Sequence, residues 1–261
     1  MNLIRLTLFI FYAFVLMAFA NCTTLLVRFT SPEKQSLSFS AVGDIMVHET
    51  QLKSAYNSKC SCYDFKPVFK HVKEHISTPD IAFGNLETTL PGDPKLFAGY
   101  PQFGSPDELV EALKDIGFDI LTTSNNHSVD TGRKGIDHTI DMLDKNGILH
   151  LGTYKSLEEF EKRRILQVSK NGINMVFLSY SYSTNGIAIP KEKIVNLIDK
   201  ARISEDIQIA RKLKPDVVIV AYHFGTEYAR FPDKFQKEMV DFAFNEGADI
   251  ILGGHPHVLQ P

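Results

Sequence analysis

The chain has no surplus of positive charge: 28 Lys and Arg against 31 Asp and Glu leave a formal net charge of −3 over 261 residues. That excludes a nucleic-acid partner gripped by a basic face. Blocks of like charge, low-complexity tracts and internal repeats are also missing, so charged tails and repeat architectures are excluded. Cysteine is scarce, with three in the chain, at Cys22, Cys60 and Cys62. Cys60 and Cys62 are separated by one residue, too close for an easy mutual bridge, so they read as two small loop residues. What is present, 44% hydrophobic and 23% charged residues, suits one large or two small globular domains with a real core.

A long hydrophobic run is also lacking. The longest, Leu6 to Ala20 (LTLFIFYAFVLMAFA), falls short of the roughly 20 residues of a spanning helix. It follows Arg5 and reads as a secretory signal, with an uncleaved anchor as the alternative and a buried core helix disfavoured for want of a polar face. The run ends Phe19-Ala-Asn-Cys22, similar to a lipoprotein cleavage box in which Cys22 would be lipidated, although Asn21 departs from the usual small residue. The expectation is export and a membrane-anchored place in the cell envelope. Residues 1–22 are then signal or anchor, 23–36 a polar tether, and 37–261 the folded part.

Within 37–261 an apolar strand repeatedly ends in a polar turn. Leu37–Val42 runs into Gly43-Asp44, Asp80–Phe83 into Gly84-Asn-Leu-Glu87, and Phe118–Leu121 into TTSNNHSVDTG. DVVIVAY (216–222) delivers His223-Phe-Gly225, and Asp249–Leu252 delivers Gly253-Gly-His-Pro-His257. Helices are predicted from Ser105-Pro106 to Ile116, from Lys134 to Asn146, within 191–213, and from Asp233 to Asn245. Residues 165–181 read as a hairpin turning at Asn171-Gly172. Alternating strands and helices argue for an α/β sheet with antiparallel parts, and such sheets bind ligands beyond the carboxyl ends of their strands.

Five segments therefore place Asp44, Asn85, Glu87, Asn126, His127, His223, His255 and His257 on one rim. Carboxylates, imidazoles and an amide oxygen suit Zn, Mn, Fe or Mg. Paired metal ions can clamp a phosphate ester and generate a hydroxide nucleophile, with a histidine protonating the leaving group.

These motifs, GD at 43–44, GNLE at 84–87, NNH at 125–127, HFGTEY at 223–228 and GGHPHVLQP at 253–261, resemble the bacterial poly-γ-glutamate capsule biosynthesis proteins (CapA/PgsA type). That family is related to the calcineurin-like metallophosphoesterases. The resemblance implies a four-layer αββα sandwich and a divalent-metal site. By it, Asp44 is the first-strand metal carboxylate, Glu87 the bridging carboxylate with Asn85 nearby, and Asn126 an amide ligand. His223 and His255 serve the second metal, His257 the first, and His127 is the acid. Two departures stand out: Met46 replaces a histidine two residues after the first aspartate, and the bridging residue is glutamate. The resemblance also implies a chain continuing past Pro261, so a C-terminally truncated product is expected.

Other residues keep open readings. Asn125 is a turn former. Glu227 either orients His223 or faces water, Asp130 and Arg133 either support the rim, anchor an anionic substrate or supply helix-start charge, and His48 is a minor candidate for the rim. His71-Val-Lys-Glu74-His75 has the spacing of some zinc peptidases, yet its surrounding lysines suit a solvated face. The expected role is synthesis or export of an anionic envelope polymer, alongside other capsule-synthesis membrane proteins. The alternatives are a phosphoesterase acting on envelope or nucleotide phosphate esters, and a non-catalytic polymer-binding module.

Overall fold

The structure, a computed structural model, describes residues 35–261. The readings of 1–22, of Cys22 and of the tether up to 34 lie outside the described residues. No helix among the described residues is long and apolar enough to cross a membrane.

Two sheets form the centre. The first joins β1 (Phe39–Ile45), β4 (Ile81–Leu86), β5 (Ile120–Thr122) and β6 (Leu149–Leu151), parallel throughout, in the order β1-β4-β5-β6. The second joins β12 (Ile250–Gly254), β11 (Val217–His223), β9 (Ile173–Ser181) and β8 (Leu166–Lys170), in that order. Its first three strands are parallel, and β8 and β9 form an antiparallel hairpin. Asn171 and Gly172, at φ 52° and 77°, make the turn, as an Asn-Gly pair between strands predicts.

Side chains alternate across each strand, so neighbouring residues feed different layers. Ile81, Phe83, Ile120 and Leu151 of the first sheet meet Met175, Phe177, Ile219 and Ala221 of the second. The rings of Phe83 and Phe177 stack at 5.9 Å. On the outer face of the first sheet, Ala82, Leu86 and Leu121 pack under α3 (Glu108–Ile116) and α4 (Gly132–Lys145). On the outer face of the second, Val176, Leu178, Val218 and Val220 pack under α6 (Lys200–Lys212) and α7 (Lys234–Glu246). The result is the expected four-layer αββα sandwich. Shorter pieces complete it: helices α1 (Glu49–Ala55), α2 (Lys73–Ser77) and α5 (Leu157–Arg163), the hairpin β2 (Tyr56–Asn57) with β3 (Cys62–Tyr63), and β7 (Thr153–Tyr154) paired with β10 (Ile194–Val195).

Three expectations need correction. Cys60 and Cys62 are joined by a disulfide in the β2–β3 turn, where the tight reversal brings the two Cα atoms to 5.2 Å. Helix α3 starts at Glu108 rather than beside Ser105, because the Ser105 hydroxyl is taken by Thr88 Oγ1 at 2.9 Å. Helical spacing from 191 is realised only from Lys200, where Asp199 caps α6 by accepting from Arg202 N. Gly117 and Gly247, both left-handed, end α3 and α7, as glycine after a helix should.

One buried ion pair lies away from the rim. Asp206 accepts from Arg164 Nε and from the Tyr180 hydroxyl, each at 2.8 Å, and its side chain is fully buried. Arg164 also pairs with Glu161 and stands 3.7 Å from Glu205, so removing Asp206 leaves its charge partly answered and strands the Tyr180 hydroxyl, at about 1–3 kcal/mol. Asp206→Ala is expected to lose that much in urea unfolding monitored by circular dichroism. A loss well above about 3 kcal/mol, that of a charge stranded outright, would show that the two glutamates do not hold Arg164.

Candidate metal centre

The carboxyl ends of β1, β4, β5, β11 and β12 converge where the two sheets meet. In β1 the register shifts between Ala41 and Asp44 against β4; such a bulge re-aims a side chain. Asp44 then bridges the sheets. Its Oδ1 accepts from Asn85 Nδ2 at 2.8 Å, while Oδ2 accepts from His255 N at 2.9 Å and lies 3.0 Å from His257 Nδ1. A Cβ on Gly254 would come within 2.7 Å of Asp44 Oδ1, so glycine is what permits this approach.

Asn85 continues the network. Its Nδ2 also lies 3.2 Å from His223 Nδ1, and its Oδ1 accepts from Asn125 Nδ2 at 3.0 Å. Asn125 donates as well to Leu86 O, and its Oδ1 accepts from His127 N. The turn-former reading of Asn125 is thus also a positioning one: it holds β4 against the NNH turn. Asn126 Oδ1 lies 2.7 Å from His223 Nε2. His127 Nδ1 lies 2.6 Å from Asp130 Oδ2, which also accepts from Phe103 N. Asp130 therefore fixes the imidazole and leaves Nε2 as the nitrogen for proton exchange. The ring of Phe103 stands edge-on to His127 at 4.7 Å.

Glu87 is the decisive residue. It is fully buried, and neither carboxylate oxygen has a hydrogen-bond partner. The His223 Nε2 stands 3.4 Å from Oε1, too far for a good hydrogen bond. Buried polar atoms are nearly always paired, so two oxygens without a hydrogen bond mark a place for positive charge. Donors surround it: Glu87 groups with His223 and His255, and again with Asp44 and His257, each set lying within 4.8 Å. His255 Nδ1 is likewise buried without a partner. Residues and geometry both fit a divalent cation, with Glu87 common to the two sets.

Electrostatics agree. Burial, then repulsion from Asp44, pushes the Glu87 pKa up to about 9. Burial would raise Asp44 too, but hydrogen bonds from His257, Asn85 and His255 N hold it well below the usual carboxylate range. Burial lowers both His223 and His255 to about 4, keeping them neutral and ready to ligate. The hydrogen bond to Asp44 raises His257.

Other candidates fall elsewhere. Arg133 donates to Lys191 O and pairs with Glu192 at the surface, supplying charge near the start of α4 and not an anion anchor on the rim. His48 is exposed ahead of α1 with its ring edge-on to Phe103. His71 lies outside α2, and His71, Glu74 and His75 are all exposed, a solvated face. Glu227 groups with His255 and His257 and not with His223, so the His223-orienting role is not realised. One rim segment escaped the sequence reading, the turn after β9. There Asn185 accepts from Asn126 Nδ2 at 3.2 Å, and the half-exposed Tyr182 ring lies 4.7 Å from that of His255. The Asn185-Gly186 pair was a visible turn signal, but nothing in it indicated a metal-site neighbour.

Residues 38–261 match the family described as bacterial capsule synthesis protein PGA_cap. The chain is 28% identical over 239 residues to a Bacillus anthracis capsule biosynthesis protein, CapA, covering 87% of this chain and 56% of that one. It is 30% identical over 228 residues to the Bacillus subtilis PGA biosynthesis protein CapA, covering 86% and 58%. The chain thus spans just over half the length of these relatives. Among solved structures it is similar to a Staphylococcus aureus candidate 5′-nucleotidase in complex with alpha-ketoglutarate, with a TM-score of 0.51 and 16% identity over 84% of this chain and 45% of that one. That likeness shows a metallophosphoesterase-like fold.

Proton linkage of Glu87 gives a direct check. In metal-free protein its folded pKa near 9 lies above the unfolded value of 4.5, so the folded state binds more protons and stability falls as pH rises between them. Below about pH 6.5 the depressed His223 and His255 act in the opposite sense. Above pH 6.5 the raised His257 acts in the same sense as Glu87, so the part due to Glu87 is the difference between wild type and Glu87→Gln from pH 6.5 to 9. Metal-free wild type should lose stability across that range, and Glu87→Gln should give a flatter profile in urea titrations with chelator present. Equal slopes would mean Glu87 is already ionised.

Proposed function

The chain belongs to the bacterial capsule synthesis protein family PGA_cap, and from that premise we propose an exported, membrane-tethered metal-dependent hydrolase. It would act in the synthesis or export of an anionic cell-envelope polymer, poly-γ-glutamate in the family it resembles. The observation that carries the hydrolytic part is the bare, buried Glu87 carboxylate shared by two ligand sets beside the His127–Asp130 pair.

Asp44, Glu87, Asn126, His223, His255 and His257 would hold the metal, whether Zn, Mn, Fe or Mg. When bound, divalent ions supply Lewis-acid charge for an anionic group and lower the pKa of water. The chain's own residues do the rest. Asp130 presents His127 in one tautomer, so that Nε2 can deliver a proton to a leaving group. Asn125 and Asn85 hold that turn against β4 and orient Asp44. Asn185 secures the amide of Asn126. The run Leu6–Ala20 and Cys22 support export and anchoring, which would bring the site to the polymer outside the membrane, next to other capsule-synthesis membrane proteins.

A second reading, a phosphoesterase on envelope or nucleotide phosphate esters, draws on the same His127–Asp130 pair. Complementation separates the readings. A strain lacking the protein should lose surface polymer and regain it with wild type. Metal-loaded His127→Ala, produced at the same level, should fail to restore it, with purified wild type showing no turnover of p-nitrophenyl phosphate. His127-dependent turnover of that ester favours the phosphoesterase. Full rescue by His127→Ala would contradict acid catalysis and leave the rim a polymer-binding module.

A further inference from the structure

A third cluster lies on the solvent side of the rim. Glu227, His255 and His257 offer ligand atoms within 4.8 Å of one another, and Glu227 is exposed. Glu227 shares no set with Asp44 or Glu87, so its place is on the outer face of the histidines.

The backbone is arranged to bring it there. Gly225, at φ 105°, turns the chain two residues after His223, and a Cβ on it would come within 2.5 Å of the Gln236 side chain. Tyr228, at φ 62°, donates its N–H to Pro256 O at 2.8 Å. That bond ties the residue after Glu227 to the peptide between the two histidines. His255 and His257 are themselves left-handed, at φ 94° and 54°, a conformation non-glycine residues hold only where their surroundings impose it. His255 is 4% exposed, and its Nδ1 has no hydrogen-bond partner.

We propose that Glu227 is a metal ligand, closing with His255 and His257 an outer cation seat that opens to solvent. Two imidazoles and one glutamate are a ligand set that holds zinc with a fourth position left for water or substrate. An imidazole serves one seat at a time, so filling the outer seat leaves Asp44, Glu87, Asn126 and His223 for an inner cation. The proposal rests on the reading of the rim as a metal centre and divides it: an inner, buried seat and an outer, exchangeable one at which an anionic substrate would arrive.

The test is Zn²⁺ titration of the metal-free full chain by calorimetry, with Co²⁺ absorption in the visible as the spectroscopic readout. Wild type is expected to take up two ions. Losing even an outer partner of a ligand weakens metal binding about 10–100-fold, so Glu227→Gln should weaken one seat by ~100-fold or more and leave the other unchanged. The Co²⁺ band of the weakened seat should be lost, and Glu227→His should restore a bound ion. Because Glu227 is exposed, the metal-free melting temperature should not move. Two tight ions and an unaltered Co²⁺ spectrum in Glu227→Gln would overturn the outer seat while the metal centre stands. No Zn²⁺ uptake by wild type would overturn both.

Discussion

Asp44 and Glu87 are buried side by side in the rim, and both cannot be ionised there without nearby positive charge. Asp44 keeps its charge because both oxygens are claimed, one by Asn85 from the first sheet, the other by His255 N and His257 from the second. Glu87 has no such partners and holds its proton instead. The asymmetry gives the site its chemistry. One carboxylate welds the two sheets together, and the other waits for a cation. A buried charge uncompensated by metal or hydrogen bonds is costly, so protonation is how the metal-free fold tolerates Glu87.

The rest of the rim follows from holding these groups in place. Gly254 clears the space Asp44 occupies. The left-handed backbone at His255 and His257 stores strain of about 1–3 kcal/mol per residue, retained because the Asp44 contacts and the Tyr228–Pro256 bond fix the turn. On the opposite wall, Asn125 binds β4 to the NNH turn, and Asp130 and Phe103 hold His127. Fold stability and site geometry thus share residues, so the ends of β1 and β12 cannot drift apart without dismantling the ligand set.

Much of this was legible in the sequence because buried parallel strands read as continuous apolar runs and their ends as sudden polar turns. Val217–Tyr222 before His223, and Ile250–Leu252 before GGHPH, are of that kind. The five rim segments could be named from strand ends alone, and the layered fold followed from alternation of strand and helix together with the resemblance. Other features depended on contacts distant in sequence. Ser105 looks like a cap until Thr88 claims its hydroxyl. Asp130 could support the rim or merely supply helix-start charge on sequence, and its 2.6 Å contact with His127 Nδ1 decides for support. Asn185 is a turn residue in any local reading, and only the meeting of the two sheets brings it to Asn126. The Cys60–Cys62 bridge was disfavoured on spacing, yet the hairpin closes it.

The chemistry of the rim depends on a cation at Glu87. Anomalous scattering from crystals grown with Mn²⁺ tests this most directly. It should place a strong peak within ligand distance of Glu87 and at least two of Asp44, Asn126 and His223. Mn²⁺ density confined to surface carboxylates, with Glu87 still lacking a partner, would contradict it.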